Sequence, residues 1–246
     1  MFPDSPSMPL IGQPFIILPT VDSTNNYAMG LASEGMATHG TTVFAEYQTS
    51  GKGQRGKSWN SSPKENIILS VILQPPGHGQ PFHISAMVAL ACAELLERYA
   101  KSEVSVKWPN DIYWRDRKAA GILVENKFQG STWIWTVAGI GMNINQVDFD
   151  PLIANPVSLK QITGANTDTL ELAKELCEIL QHRYATFEPD ALLAEYNQRL
   201  FRRGEWVKLK TDEGVIDTRI VEIDNSGRLI TEDTVHRAFD QVVWIL

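Results

Sequence analysis

Between Glu46 and Trp59 the chain reads Glu-Tyr-Gln-Thr-Ser-Gly-Lys-Gly-Gln-Arg-Gly-Lys-Ser-Trp, interleaving Gly51, Gly53 and Gly56 with Lys52, Arg55 and Lys57. Glycines let backbone take positive φ and come close to a ligand, while the cations bring positive charge to the same few ångströms. The combination is that of an anion cradle, and polyphosphate is its natural guest. Trp59 closes it with a flat apolar face. The Walker A pattern GxxxxGK[ST] is absent. Gly51 to Gly56 has the letters GxGxxG, but serine, tryptophan, asparagine and Ser61-Ser62-Pro63 follow where a dinucleotide fingerprint would start a helix. Taken alone, the stretch leaves a solvated basic turn open as the plain alternative.

Four further stretches carry groups that could do chemistry. Asp22-Ser-Thr-Asn25 puts hydroxyls and an amide at a helix start, where capping is their ordinary use. In Lys107-Trp-Pro-Asn-Asp111, Pro109 must end or bulge a strand, and such breaks re-aim side chains such as Asn110 and Asp111. Arg117-Lys-Ala-Ala-Gly-Ile-Leu-Val-Glu125 sets small residues directly after Lys118, which leaves room for a ligand beside a lysine that could otherwise sit in water. Gly139-Ile-Gly-Met-Asn-Ile-Asn145 weakens a strand interior with Gly139 and Gly141, as tight strand packing or a flat ligand against the backbone would require.

These four motifs with the glycine-rich loop, in this order, resemble the biotin protein ligase (biotin–acetyl-CoA-carboxylase ligase) family, in its monofunctional type without the DNA-binding domain. The resemblance implies an α+β fold: a class II aminoacyl-tRNA-synthetase-like catalytic domain over residues 1–200, with a mixed, mainly antiparallel sheet, then a small SH3-like β-barrel over 204–246. It implies activation of biotin with ATP to biotinyl-5'-adenylate and transfer to a lysine of a biotin carboxyl carrier protein, with Mg2+ accompanying ATP. By the same resemblance Ser23, Thr24, Asn25, Gln48, Lys52, Gly53, Gln54 and Lys118 hold biotin. Arg55, Lys57, Trp59, Asn110 and Asn143 hold ATP. Lys118, Lys52 and Arg55 are the catalytic candidates, and Asp111 could stand behind the magnesium. Two departures are visible. Gln54 stands where many relatives have arginine, so either Arg55 substitutes or adenylate is held less tightly; Lys52 replaces a frequent arginine, keeping the charge and losing the planar fork. No helix-turn-helix region precedes residue 13, so DNA binding is not expected. A homodimer is left open. The alternatives are a lipoate ligase on the same fold and a non-catalytic nucleotide- or RNA-binding module.

The elements that must position these groups follow from periodicity. Phe15–Leu18 reads as a short buried strand and Asn66–Leu73 as a central strand, its apolar run nearly continuous. A helix is expected from His83 to Ala100, with His83 a surface or capping residue. Arg115-Asp-Arg-Lys118 reads as a hairpin turn, and Gln129-Gly130 as the next. Residues 148–166 read as a connecting loop, Asp168 as the cap of a further helix, and Pro189 as the start of another reaching about Arg203, where Arg202 and Arg203 would suit the macrodipole. From Gly204 the period changes to two, in four short strands with a turn at Asp224-Asn-Ser-Gly227.

Composition bounds the rest. A chain of 246 residues, 43% hydrophobic, can bury a large core, and a net charge of −7 makes any polyanion site a local exception. Cys92 and Cys177 fall on helical apolar faces as small buried thiols, which fits a reducing cytoplasm. Residues 1–20 lack Lys and Arg and are broken by prolines, so a conventional signal peptide is not expected; no apolar run reaches membrane-spanning length, and the histidines lack ligand spacing for a structural metal.

Overall fold

The computed structural model describes residues 9–151 and 153–245. Expectations attached to residues 1–8, namely the start of the catalytic unit, part of the signal-peptide reading and part of the region ahead of residue 13, lie outside the described residues. A seven-stranded sheet has the order β1-β2-β3-β7-β6-β5-β4. Its strands are β1 (Phe15–Leu18), β2 (Thr42–Ala45), β3 (Asn66–Leu73), β4 (Val104–Lys107), β5 (Asp111–Trp114), β6 (Arg117–Gln129) and β7 (Thr132–Asn143). Only β1 with β2 is parallel, so the sheet is mixed and mainly antiparallel.

The apolar run of β3 has the expected consequence. Every residue of it is buried, and it lies between β2 and β7. Helices α2 (Pro81–Ala100) and α4 (Thr169–Ala185) bury one face, where Leu69, Val71 and Leu73 join Met87, Leu90 and Leu176. Helix α1 (Thr24–Ser33) covers part of the other, where Ile72 and Val137 meet Ala28. Strand period two then sends Ile68, Ser70 and Ile72 of β3 to the α1 side, with Gly139, Gly141 and Asn143 of β7 and Gly121, Leu123 and Glu125 of β6 by register. The site lies on that side.

Several expectations need correction. Strand β1 forms but is an edge strand with Ile17 exposed, because only β2 pairs with it. Of the surface or capping role expected for His83 only the surface half fails: the residue is buried, and it does cap, its Nδ1 accepting the Gln80 backbone N–H at 3.0 Å in a capping box. The loop at 148–166 contains α3 (Leu159–Thr163), which Ser158 and Gln161 cap reciprocally. Helix α5 (Pro189–Gln198) stops short of the arginine pair, so Arg202 reaches Asp116 and Arg203 the carbonyls of Asn197 and Val221 instead of a helix end.

A second, five-stranded antiparallel sheet of order β11-β10-β9-β8-β12 stands where the small barrel was expected. It comprises β8 (Trp206–Thr211), β9 (Gly214–Ile223), β10 (Leu229–Thr231), β11 (His236–Arg237) and β12 (Val243–Ile245), the last of which sequence reading missed. Asp224 Oδ1 organises the β9–β10 turn by accepting from the N–H groups of Ser226 and Arg228, and Gly227 takes φ 80° there. Two indoles tie the sheets together. Trp108 Nε1 donates to the Gly227 carbonyl at 2.9 Å, and Trp244 Nε1 donates to the Trp108 carbonyl at 3.1 Å.

Candidate active site

A cleft of about 990 Å³ opens on the α1 side of the large sheet, and every candidate residue named from the sequence lines it. A volume at the top of the range for small-molecule sites suits a ligand larger than either biotin or a nucleotide alone.

One end is polar and buried. Ser23 caps α1 by accepting from Asn26 N–H, and Ser23, Thr24 and Asn25 are each at most 3% exposed. Gln48 Oε1 accepts from the Thr24 backbone N–H at 2.8 Å, which joins the loop after β2 to the helix start. Asn25 Nδ2 donates to Glu125 Oε2 at 2.8 Å, and its Oδ1 accepts from Ser70 at 2.7 Å. A Cβ on Gly139 would lie 2.2 Å from that Oδ1, so the glycine makes room for a side chain of the protein itself.

The cation loop is shaped differently from its expectation. Of its three glycines only Gly56 has positive φ, at 72°; Gly53 is extended, and Arg55 itself sits in the left-handed region at φ 55°. Gly51 is required by close approach, since a Cβ there would lie 2.3 Å from the Trp59 carbonyl oxygen. Backbone bonds from Gly53 N–H to Lys57 O and from Trp59 N–H to Gly51 O fold the loop on itself. Arg55 places its guanidinium 5.3 Å from the centre of the Phe239 ring, in the turn between β11 and β12. Cations gathered in one loop repel each other until an anion arrives, so the amides of residues 50–59 should gain hydrogen-exchange protection when biotin and ATP are added together. Equal protection with and without them would remove that view of the loop.

The Trp59 ring lies against Gly121 and Gly141. Added Cβ atoms would stand 3.0 Å from its ring at Gly121 and 2.3 Å from it at Gly141. The surface that the sequence offered to a flat ligand is therefore covered by the protein's own indole. Its Nε1 is buried without a partner among the described residues and is available to a ligand acceptor.

Lys118 is placed by an irregularity. Between β5 and β6 the register runs Ile112↔Ala120 and then Tyr113↔Lys118, leaving Ala119 as the extra residue. Strict alternation from Gly121 would turn Lys118 away from the cleft; the bulge turns it in. Its Nζ lies 2.6 Å from Asp111 Oδ1 and 5.9 Å from the Trp59 ring. Asn155 O accepts from its backbone N–H, and its carbonyl accepts from Val157 N–H, so the loop after β7 holds the strand end in place. The water-exposed hairpin lysine is excluded: its side chain is 25% exposed. The hairpin turn itself is Arg115-Asp116, and Arg117 and Lys118 are already in β6. Asn143 donates from Nδ2 to the carbonyls of Lys118 and Val157, which leaves Oδ1 to accept from an amine such as adenine N6. Asn110 spends its Nδ2 on the Ile122 carbonyl and pins the turn after β4.

Lys107 is the residue that sequence reading passed over, although it opens the Lys107–Asp111 motif and alternates in register with Val104-Ser-Val. It lines the cleft with its Nζ 5.0 Å from the Tyr113 ring centre and 5.6 Å from that of Trp244. Burial pushes its ammonium down to about 8, with Lys118 and Lys57 adding repulsion and Asp111 opposing both. The unfolded chain holds this proton up to about 10.5 and the folded chain up to about 8, so stability rises with pH through that window. A polyphosphate needs the charged form, so its affinity falls over the same window. Titrations of ATP from pH 7 to 10 beside melting curves should show the two trends diverging, and Lys107→Met should flatten both. Walls from β12 and the turn before it, Phe239 and Val242 to Ile245, were also missed, since no local pattern brings them to β4.

The model of the biotin/lipoate A/B protein ligase family matches residues 17–143. The chain belongs to this family. It is 32% identical to the bifunctional ligase/repressor BirA of Escherichia coli over 91% of its own length and 70% of that protein's. It is 30% identical to the biotin–[acetyl-CoA-carboxylase] ligase of Mycobacterium tuberculosis, covering 84% of this chain and 79% of that one. The biotin protein ligase of Aquifex aeolicus in complex with biotin and ATP superposes with a TM-score of 0.75 at 26% identity, over 94% of this chain and 95% of the other.

Proposed function

We propose that the chain joins biotin to ATP as biotinyl-5'-adenylate and passes the biotinyl group to a lysine of a biotin carboxyl carrier protein. The observation that carries this reading is one continuous cleft with a buried hydroxyl and amide cluster at one end, Lys118 in the middle and the cation loop beside it.

In the first step a biotin carboxylate oxygen attacks the α-phosphorus and pyrophosphate leaves. In the second the carrier's lysine amine attacks the acyl carbon, AMP leaves, and the amine loses its proton. Both pass through added negative charge on oxygen, which fixed donors and cations stabilise without a side-chain nucleophile. Ser23, Thr24 and Gln48 receive the ureido ring. Lys118 neutralises the carboxylate and then the acyl oxygen. Lys52, Arg55, Lys57 and Lys107 face the phosphates, with Gly53 and Gln54 shaping the loop between, and Asn143 accepts from adenine. Arg55, held against Phe239, is the guanidinium adjacent to Gln54 that can serve the phosphates.

Magnesium is part of the proposal as ATP's companion. No group of three or more His, Cys, Asp or Glu side chains that could hold a metal occurs among the described residues, and Asp111 is committed to Lys118. The ion would therefore take most of its oxygens from phosphate and water, as Mg2+ commonly does. The division into a catalytic unit over 1–200 and a barrel over 204–246 belongs to the same proposal; strand pairing within each sheet supports it. So does a cytoplasmic site of action, which suits two free buried thiols, Cys177 being raised to about 11 by burial.

The test is ATP–pyrophosphate exchange with biotin, with lipoate and with neither. Exchange with biotin alone is the expected result; exchange with lipoate instead would reassign the cofactor acid, and exchange with neither would end the reading.

A further inference from the structure

Behind the polar end of the cleft stand Ser70 on β3, which no motif contains, and Glu125 on β6, which ends the Arg117–Glu125 motif but was given no role there. Building on the proposed binding of a ureido ring at that end, we propose that Ser70 and Glu125 are positioning residues: together they set the direction of the hydrogen bonds there and turn Thr24 Oγ1 into an acceptor that selects a ligand N–H.

The protons at this end can be counted. Asn25 Nδ2 donates to Glu125 Oε2 at 2.8 Å and to the Leu123 carbonyl at 3.4 Å. A carboxylate only accepts, so the amide must point Nδ2 at β6 and Oδ1 at β3. Gly139 leaves the space for this pose. Oδ1 also only accepts, and Ser70 Oγ is 2.7 Å away, so the single proton of Ser70 goes to Asn25. With that proton on Asn25, Ser70 Oγ offers only lone pairs at 2.8 Å, so of the two acceptors within reach of the Thr24 hydroxyl, Ser70 and the more distant Gln48, the nearer takes its proton. The Thr24 proton is now spent. Yet Thr24 Oγ1 also lies 3.1 Å from Gln48 Oε1, whose own donor is the Thr24 backbone N–H.

Two hydroxyl protons thus serve three oxygen–oxygen contacts, and the contact left without a proton is the longest. It is also the one at the cleft, since Thr24 and Gln48 line it and Ser70 does not. Two facing acceptors call for a donor between them. A cyclic urea brings an N–H to that place, whereas the dithiolane ring of a lipoyl acid has none. Specificity for one cofactor acid over the other would then begin at Glu125, which touches neither.

The experiment is calorimetric titration with biotin, and with ATP at saturating biotin, beside melting curves, for the unaltered chain and four variants. Ser70→Ala should weaken biotin roughly tenfold or more although Ser70 lies outside the cleft, because Thr24 is freed to donate to Gln48. Asn25→Asp sets two carboxylates against each other and should do at least as much harm. Glu125→Gln should be mild, since an amide oxygen can still accept. Asn25→Asp combined with Glu125→Gln should regain most of the loss, because the new amide at 125 donates to the new carboxylate at 25, which still accepts from Ser70. ATP affinity should hold throughout. The relay is overturned if Ser70→Ala binds biotin as the unaltered chain does, if the double variant binds no better than Asn25→Asp alone, or if biotin and ATP affinities fall together with the melting point. Failure of the unaltered chain to bind biotin would instead overturn the reading of the site itself.

Discussion

Lys118→Ala should lose about 3–4 kcal/mol of transition-state stabilisation, equivalent to a fall of about 10²–10³ in rate, as removal of one preorganised donor does at other sites. Sequence reasoning alone would expect folding to be untouched. The structure changes that expectation, because Asp111 Oδ1 lies 2.6 Å from the ammonium and the Asp111 side chain is only 19% exposed. Truncating the lysine leaves that carboxylate without its partner, at a cost of about 1–3 kcal/mol. The two effects separate in Lys118→Ala combined with Asp111→Asn, which should recover the melting point and not the rate. Lys118→Arg should restore only part of the activity, since a planar fork cannot replace a compact ammonium between Gly121 and the Trp59 ring. Adenylate formation and transfer to a carrier lysine should be followed separately. Near-normal rates for both in the alanine variant would return Lys118 to a structural ion pair.

Gly141→Ala should be the second most damaging change. Its new Cβ would stand 2.3 Å from Trp59 Cε2 and 2.7 Å from Nε1, closer than atoms can approach, and Trp59 sits on a loop that can yield while the β7 backbone cannot. The indole should be expelled from the strand surface. Misplacing the group that closes the cleft is expected to cost about tenfold to 100-fold in kcat/KM for adenylate formation. Stability should drop by about 1–3 kcal/mol if the core absorbs part of the clash, and by less if the loop simply swings away. Trp59→Ala added to Gly141→Ala relieves the clash, so melting should recover while activity stays low. Recovery of both would mean that the indole obstructs the site instead of completing it. Unchanged activity in Gly141→Ala alone would mean that the close contact is not maintained during turnover.

The local sequence determined a good deal of this molecule, for a reason that is itself local. A short, nearly continuous apolar run rich in isoleucine and valine suits a strand covered on both faces, and β3 is buried throughout. Ser23 and Asp168 cap the helices they precede because a side-chain oxygen can reach a free N–H only a few residues away. The change to period two after Gly204 separated the second sheet from the first. The types of the site residues were legible too, since glycines between cations and a lysine before small residues limit what chemistry a surface can perform.

What the sequence could not contain is phase and distance. Strict alternation puts Lys118 on the wrong face of β6, and one extra residue opposite Tyr113 puts it right; a bulge depends on how two strands pair, which neither strand encodes alone. The glycines of β7 looked like a bed for a flat ligand because the indole of Trp59 and the amide of Asn25 reach them only through the fold. Lys107 gains its unusual proton affinity from burial beside Tyr113 and Trp244, the latter arriving from the second sheet. The same holds for Ser70 and Glu125, ordinary residues in ordinary strands. Their meaning is a matter of which proton lies between which pair of oxygens, and tertiary packing alone brings those oxygens within 3 Å of their partners.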